Sequence, residues 1–235
     1  MTHTTLNLFH GSSEIIRLPE YGRGRLHNDY GRGFYCTENE ELSKEWACTS
    51  LSNGISNHYV LDTNNLALLD LGNEDFTILN WLAVLVHNRI FRPGTPVAGR
   101  AKRYLADHFM VNVDAYDIVK GYRADDAYYD FADAFLNNAL TIEQLSAAMR
   151  LGKLGEQIVL KSRRAFDRIE FVGYSLADAT IYYPARKNRC EQADDAFRKM
   201  CDASDDGLYM IDILREKVKN DDMRIPRNIP QQSND

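Results

Sequence analysis

Cysteine is scarce and carries no pattern. Cys36, Cys48, Cys190 and Cys201 form neither a C-x-x-C pair nor a zinc spacing, which argues against a disulfide scaffold or a cysteine-built metal module. Reduced, buried thiols are the expectation. Long apolar runs are also missing. The longest, W-L-A-V-L-V at 81–86, is far too short to span a bilayer. The opening residues M-T-H-T-T-L-N-L-F-H lack the apolar segment of a secretory signal, so a soluble, cytoplasmic protein with no membrane partner is expected. Positive charge is not in excess: 28 Lys and Arg stand against 34 Asp and Glu, a net charge of −6. That balance disfavours a protein held to nucleic acid by bulk charge, although it permits a local basic groove. There is no G-x-x-x-x-G-K-[ST] loop, no Rossmann glycine string, no metal-ligand constellation and no internal repeat.

What is present suits one globular domain. The chain has 235 residues, of which 44% are hydrophobic and 26% charged, enough to bury a real core. L-N-L-F-H at 6–10 alternates like a short strand that enters a Gly-Ser turn. T-E-N-E at 37–40 reads as a capping box with Thr37 as cap, opening a helix with Leu42, Trp46 and Thr49 on one face. H-Y-V-L-D at 58–62 and A-L-L-D-L at 67–71 read as strands on either side of an Asn-Asn turn. Helices are expected over 74–92 and 97–109, a strand over 116–120, and then a helix with Tyr128, Phe131, Ala132 and Phe135 on one face. T-I-E-Q at 141–144 is a second capping box. Two apolar strands follow at 157–160 and 169–172.

Two helical patterns close the chain, one through Ala193, Phe197, Met200 and Cys201, the other through Leu208, Ile211 and Leu214. A polar tail from about Asn220 is expected to be mobile. Strands at both ends with helices bunched between them indicate an α+β fold rather than a βαβ series.

Three short motifs carry chemistry. In F-H-G-S at 9–12, an imidazole at a strand end precedes a glycine whose backbone a ligand can approach closely. In G-F-Y-C-T at 33–37, alternation sends Phe34 and Tyr35 to opposite faces, so one ring can enter the core and the other can line a cleft. In G-E-Q-I-V-L at 155–160, a carboxylate stands at the start of a buried-type strand. Each has a bland alternative: a satisfied turn, two packed rings, a solvated glutamate.

Their order resembles that of the ADP-ribosyltransferase superfamily, in particular the His-Tyr-Glu class shared by diphtheria toxin and the poly(ADP-ribose) polymerases. The fuller string N-D-Y-G-R-G-F-Y-C-T at 28–37, with F-H-G-S before it and G-Y-R-A-D-D at 121–126 after it, is similar to a smaller bacterial family. That family has long been labelled only a domain of unknown function; it is thought to be ADP-ribosyltransferase-like and often occurs in toxin–antitoxin-like gene pairs. The resemblance covers roughly residues 6–175. It implies an α+β fold of split, twisted antiparallel sheets around an NAD cleft, with inserted and C-terminal helices. The domain would run over 1–219, with a core of about 6–175, a helical extension of about 176–219 and a flexible tail at 220–235.

The implied activity is NAD-dependent mono-ADP-ribosyl transfer to a macromolecular acceptor, protein or nucleic acid. The setting would be a bacterial toxin or phage-defence effector accompanied by an antitoxin protein, with NAD as substrate and no metal. An NAD glycohydrolase and a non-catalytic nucleotide- or partner-binding module on the same fold are the alternatives. By analogy His10 would bond a ribose hydroxyl, Gly11 would hold the nicotinamide amide beside Ser12, and Tyr35 would stack on the nicotinamide ring. Asn28 to Arg32 would shape the loop before that strand, with Gly33 and Thr37 on the strand side of it; apart from the analogy, Arg32 is either a contact to a pyrophosphate oxygen or a solvated surface arginine. Glu156 is expected to stabilise an oxocarbenium-like transition state. Adjacent strand residues face opposite sides, so only one of Glu156 and Gln157 enters the cleft; Glu156 is favoured and Gln157 is the alternative. Asp125 and Asp126 are either helix caps or a second-rank part of the site.

Overall fold

A computed structural model describes residues 4–124, 126–150, 155–202 and 206–228, with 126 and 127 described by their backbone alone. Two small sheets organise it. The first is antiparallel, in the order β1 (Thr5–Ser12), β3 (Gly54–Asp62), β7 (Ile169–Ala177). The second is mixed, in the order β2 (Phe34–Cys36), β6 (Glu156–Leu160), β5 (Ile118–Tyr122), β4 (Leu68–Asp70), with only the β4–β5 pair parallel. A single bridge, Phe9 to Thr37, ties β1 to the chain just after β2. Both backbone bonds form there, Phe9 N–H to Thr37 O at 2.7 Å and Thr37 N–H to Phe9 O at 2.9 Å. The His-Gly and Gly-Phe-Tyr motifs are thereby neighbours at the seam between the sheets. Mixed helix and strand with an antiparallel and a mixed sheet is compatible with the expected α+β class.

The second sheet is covered on both faces, which explains why its central strand reads Q-I-V-L without alternation. Val119 and Val159 join the main core with α2 (Ile78–Asn88), α3 (Pro96–His108), α4 (Asp126–Leu136) and α5 (Ile142–Ala148). Cys36, Ile118, Ile158 and Leu160 join a smaller core with Leu8, Tyr59 and Leu61 of the first sheet. The W-L-A-V-L-V run belongs to α2, buried from Ile78 to Val86; an apolar helix that is buried all round is a core helix. Each of its large side chains contributes roughly 1.5–3 kcal/mol on burial.

The strands predicted at 58–62 and 67–71 form, with Asn65 left-handed between them (φ 59°), and they enter different sheets. Asn39, not Thr37, caps α1 (Glu40–Ala47) by accepting from Leu42 N–H, while the Thr37 hydroxyl accepts from Asn39 N–H at 3.2 Å. The predicted box at Thr141 and Gln144 is present. Asp125 lies outside the described residues; Asp126 opens α4.

The extension packs on this domain. Phe197 of α7 (Ala179–Cys201) stacks on Phe131 with ring centroids 4.0 Å apart, and Met210, Ile213 and Leu214 of α8 (Met210–Glu216) are buried. The short α6 (Arg163–Phe166) connects β6 to β7. Nor does the polar tail begin free at Asn220. Ile225 is buried, Arg227 bridges to Thr77, and Asn228 donates to Leu71 O at 2.7 Å. Asparagine and arginine make that return through backbone contacts, which apolar periodicity does not reveal.

Candidate active site

The loop before β2 explains why two tyrosines stand five residues apart. Tyr30 is fully buried, and its hydroxyl donates to Tyr122 O at 2.7 Å. Gly31 follows with φ 76°, a conformation that favours glycine. The chain then doubles back so that the Tyr35 hydroxyl donates to Gly31 O at 2.6 Å and accepts from Tyr30 N–H at 3.1 Å. The second ring thus clamps the loop that the first one anchors. Burial raises the Tyr35 phenol well above its ordinary range, so it stays a neutral donor.

Beside this clamp lies a cleft of about 840 Å³, a size suited to a nucleotide-scale ligand. His10, Gly11, Asn28, Gly33, Tyr35 and Gln157 all line it. His10, at the end of β1, stacks on Phe34 with centroids 4.4 Å apart. Its Nδ1 lies 2.7 Å from Tyr35 O. A carbonyl only accepts, so Nδ1 carries the proton and Nε2 of the neutral ring is left as an acceptor. Burial lowers the His10 pKa, against a smaller opposing effect of that hydrogen bond, and so favours the neutral form. Gly11 has a packing reason besides any ligand. A Cβ there would collide with the Ser43 carbonyl oxygen of α1, so only glycine lets the helix lie on β1.

The strand parity at 156 and 157 is resolved against the favoured residue. Gln157 enters the cleft and Glu156 does not. Glu156 shares its face with Ile158 and Leu160, and its carboxylate pairs with Lys120 Nζ at 3.0 Å. Burial raises its pKa, with Lys120 pulling the other way. Gln157 is 4% exposed, and its Nε2 donates to Asp29 Oδ2 at 2.6 Å and to Tyr122 O at 3.3 Å. Asp29 is itself held by Arg89 Nε on Oδ1 at 2.7 Å and by Ala124 N–H on Oδ2 at 2.9 Å. Arg89 Nη2 also donates to Ala124 O at 2.6 Å. This gives a fixed chain, Arg89 to Asp29 to Gln157, on the cleft wall.

Three other candidates lie elsewhere. Arg32 is exposed and lines a separate cavity of about 330 Å³ with Lys161 and Phe166, because the left-handed Gly31 turns the chain outward there. The Ser12 hydroxyl donates to Glu14 O and accepts from Asn57 Nδ2 at 3.1 Å. Thr37 is spent on the seam and on Asn39. Asp29, Trp46, Arg89, Arg123 and Arg186 also line the cleft, and none of them was expected there from the sequence. Arg123 lay within the quoted G-Y-R-A-D-D string; its guanidinium sits over the Trp46 ring at 4.3 Å. Arg89 and Arg186 carried no signal, since the first reaches the cleft from the C-cap of α2 and the second from α7.

The cleft is lined by Arg23, Arg25, Arg89, Arg123 and Arg186 and by three carboxylates, Glu14, Glu20 and Asp29. Its balance is therefore positive in a chain of net charge −6, which suits an anionic ligand. Among the described residues no group of His, Cys, Asp and Glu could hold a metal ion, and no helix is long and apolar enough to cross a membrane. No curated protein and no solved structure matches the chain. A family profile does match, over residues 6–171, which include β1, the clamp loop, β5 and β6. The chain therefore belongs to the family described as proteins of unknown function, DUF3990.

Proposed function

We propose that the cleft binds NAD and that the protein cleaves the nicotinamide–ribose bond, passing ADP-ribose to a macromolecular acceptor. One observation carries this reading: His10, Tyr35 and Gln157, from three separate motifs, line a single arginine-rich cleft. The neutral His10 offers Nε2 to a ribose hydroxyl. The Tyr35 ring supplies a flat surface, and the arginines answer the pyrophosphate. Cleavage develops oxocarbenium character on the ribose, which groups holding the sugar hydroxyls stabilise as charge builds.

The amide of Gln157 departs from the carboxylate of the His-Tyr-Glu pattern, and that substitution favours a second reading, a module that binds a nucleotide without cleaving it. The wider setting rests on the resemblance alone: a cytoplasmic toxin or defence effector, an antitoxin partner, and a protein or nucleic-acid acceptor.

The test is nicotinamide release from NAD by the purified protein, with and without cell extract as a source of acceptor. Gln157→Ala should cut release on the order of a hundredfold, whereas Glu156→Gln should leave it nearly unchanged. NAD binding without release under any condition would establish the binding module. Free ADP-ribose as the sole product would establish a glycohydrolase. Absence of binding would remove NAD from the account.

A further inference from the structure

We infer that Asp29 is a positioning residue that decides which end of the Gln157 amide faces the cleft, so that the carbonyl oxygen is offered to a sugar hydroxyl of the bound nucleotide. This rests on the NAD reading for the identity of the ligand, but not for the orientation itself. An amide has one donor end and one acceptor end, and its surroundings determine which way it lies. Behind Gln157 stand two acceptors, the Asp29 carboxylate at 2.6 Å and Tyr122 O at 3.3 Å. Turning the amide over would set its own oxygen against both of them, one of them ionised. The flipped state is therefore strongly disfavoured, and Oε1 must point away from Asp29.

Among the described residues Oε1 takes no hydrogen bond, and it is not among the buried atoms without a partner; Gln157 lines the cleft. Oε1 is therefore an acceptor available to a ligand. Asp29 cannot turn aside to release the lock. Arg89 and the Ala124 amide hold its two oxygens, and Arg89 is tied to Ala124 O as well. The result performs half the task of a carboxylate: it accepts from a hydroxyl, and the negative charge of Asp29 stands one hydrogen bond behind it, polarising the amide toward a stronger acceptor. The arrangement selects a ligand with a donating sugar hydroxyl over one that lacks it.

The experiment has a ligand-free arm and a ligand arm. In the first, chemical unfolding is followed for the wild type, Asp29→Asn, Gln157→Glu and the double variant. Gln157→Glu alone sets two carboxylates face to face, so its unfolding midpoint should fall. In the double variant the amide introduced at position 29 can donate to the carboxylate introduced at position 157, and the midpoint should recover toward that of Asp29→Asn. Additive effects would overturn the inference whatever NAD does. If Asp29→Asn alone fails to fold, the comparison of Gln157→Glu with the double variant still decides.

In the second arm, calorimetry compares NAD with its analogue lacking the 2′-hydroxyl of the nicotinamide ribose. The wild type should prefer NAD by on the order of tenfold, and in Asp29→Asn the ratio should collapse toward one. A merely structural defect would weaken both ligands alike and leave the ratio intact, so an unchanged ratio overturns the inference. Failure of the wild type to bind NAD, with coupling present in the first arm, overturns the functional reading and leaves the orientation standing.

Discussion

Removing the Tyr35 hydroxyl should cost more stability than removing that of Tyr30, although Tyr30 is the more deeply buried. In Tyr35→Phe the loop loses both bonds of the clamp, at 2.6 Å and 3.1 Å. The Tyr30 N–H and the Gly31 carbonyl belong to buried residues and are left without those partners. An orphaned buried polar group costs about 1–3 kcal/mol, the donor being the harder to satisfy otherwise, so roughly 2–3 kcal/mol in all is expected. In Tyr30→Phe the group left behind is Tyr122 O, which keeps Trp81 Nε1 at 3.1 Å and Gln157 Nε2 at 3.3 Å. Only the net value of one hydrogen bond is lost, about 0.5–1.5 kcal/mol. The difference corresponds to several degrees in melting temperature for a chain of this size. Urea unfolding monitored by circular dichroism and tryptophan fluorescence would measure both variants, with the m-values compared to verify that the transition is unchanged. A Tyr30→Phe loss equal to or larger than that of Tyr35→Phe would refute the clamp.

Two further outcomes are expected. Gly11→Ala should lose about 3 kcal/mol, the upper part of the overpacking range, since its Cβ would run into the Ser43 carbonyl of α1; Gly173→Ala, where nothing lies within 4 Å of the new carbon, is the near-neutral control in the same unfolding assay. His10 should make stability fall with acidity. Its folded-state pKa lies below the ordinary 6.5, so the unfolded chain binds the proton more readily. The contribution is full above about pH 6.5 and declines below it until the folded-state value is passed. The depressed carboxylates Glu40 and Asp117 act only at lower pH, as acidity approaches their ordinary values of 4.5 and 3.8. Unfolding free energies of the wild type and His10→Gln between pH 7 and 5 should therefore differ in slope, and parallel curves would contradict the buried neutral imidazole.

Local signals in the chain were sufficient for most elements. The period of Tyr128, Phe131, Ala132 and Phe135 belongs to a real helix, all four are buried, and the Thr141–Gln144 box caps α5. The resemblance carried by the order of motifs also named His10, Gly11, Asn28, Gly33 and Tyr35, and these residues line one cleft. Alternation determined that one of Glu156 and Gln157 faces the cleft. It could not determine which, since that depends on partners remote in sequence. Lys120 on the neighbouring strand draws the carboxylate to one face, while Asp29, 128 positions away from Gln157, holds the amide on the other. Arg89 reaches the cleft from the extended C-cap of α2 and Arg186 from α7, and nothing in their local sequence encodes that approach. Periodicity is a property of a few neighbouring residues, whereas the charge and the hydrogen-bond direction of a site come from segments that only tertiary packing brings together.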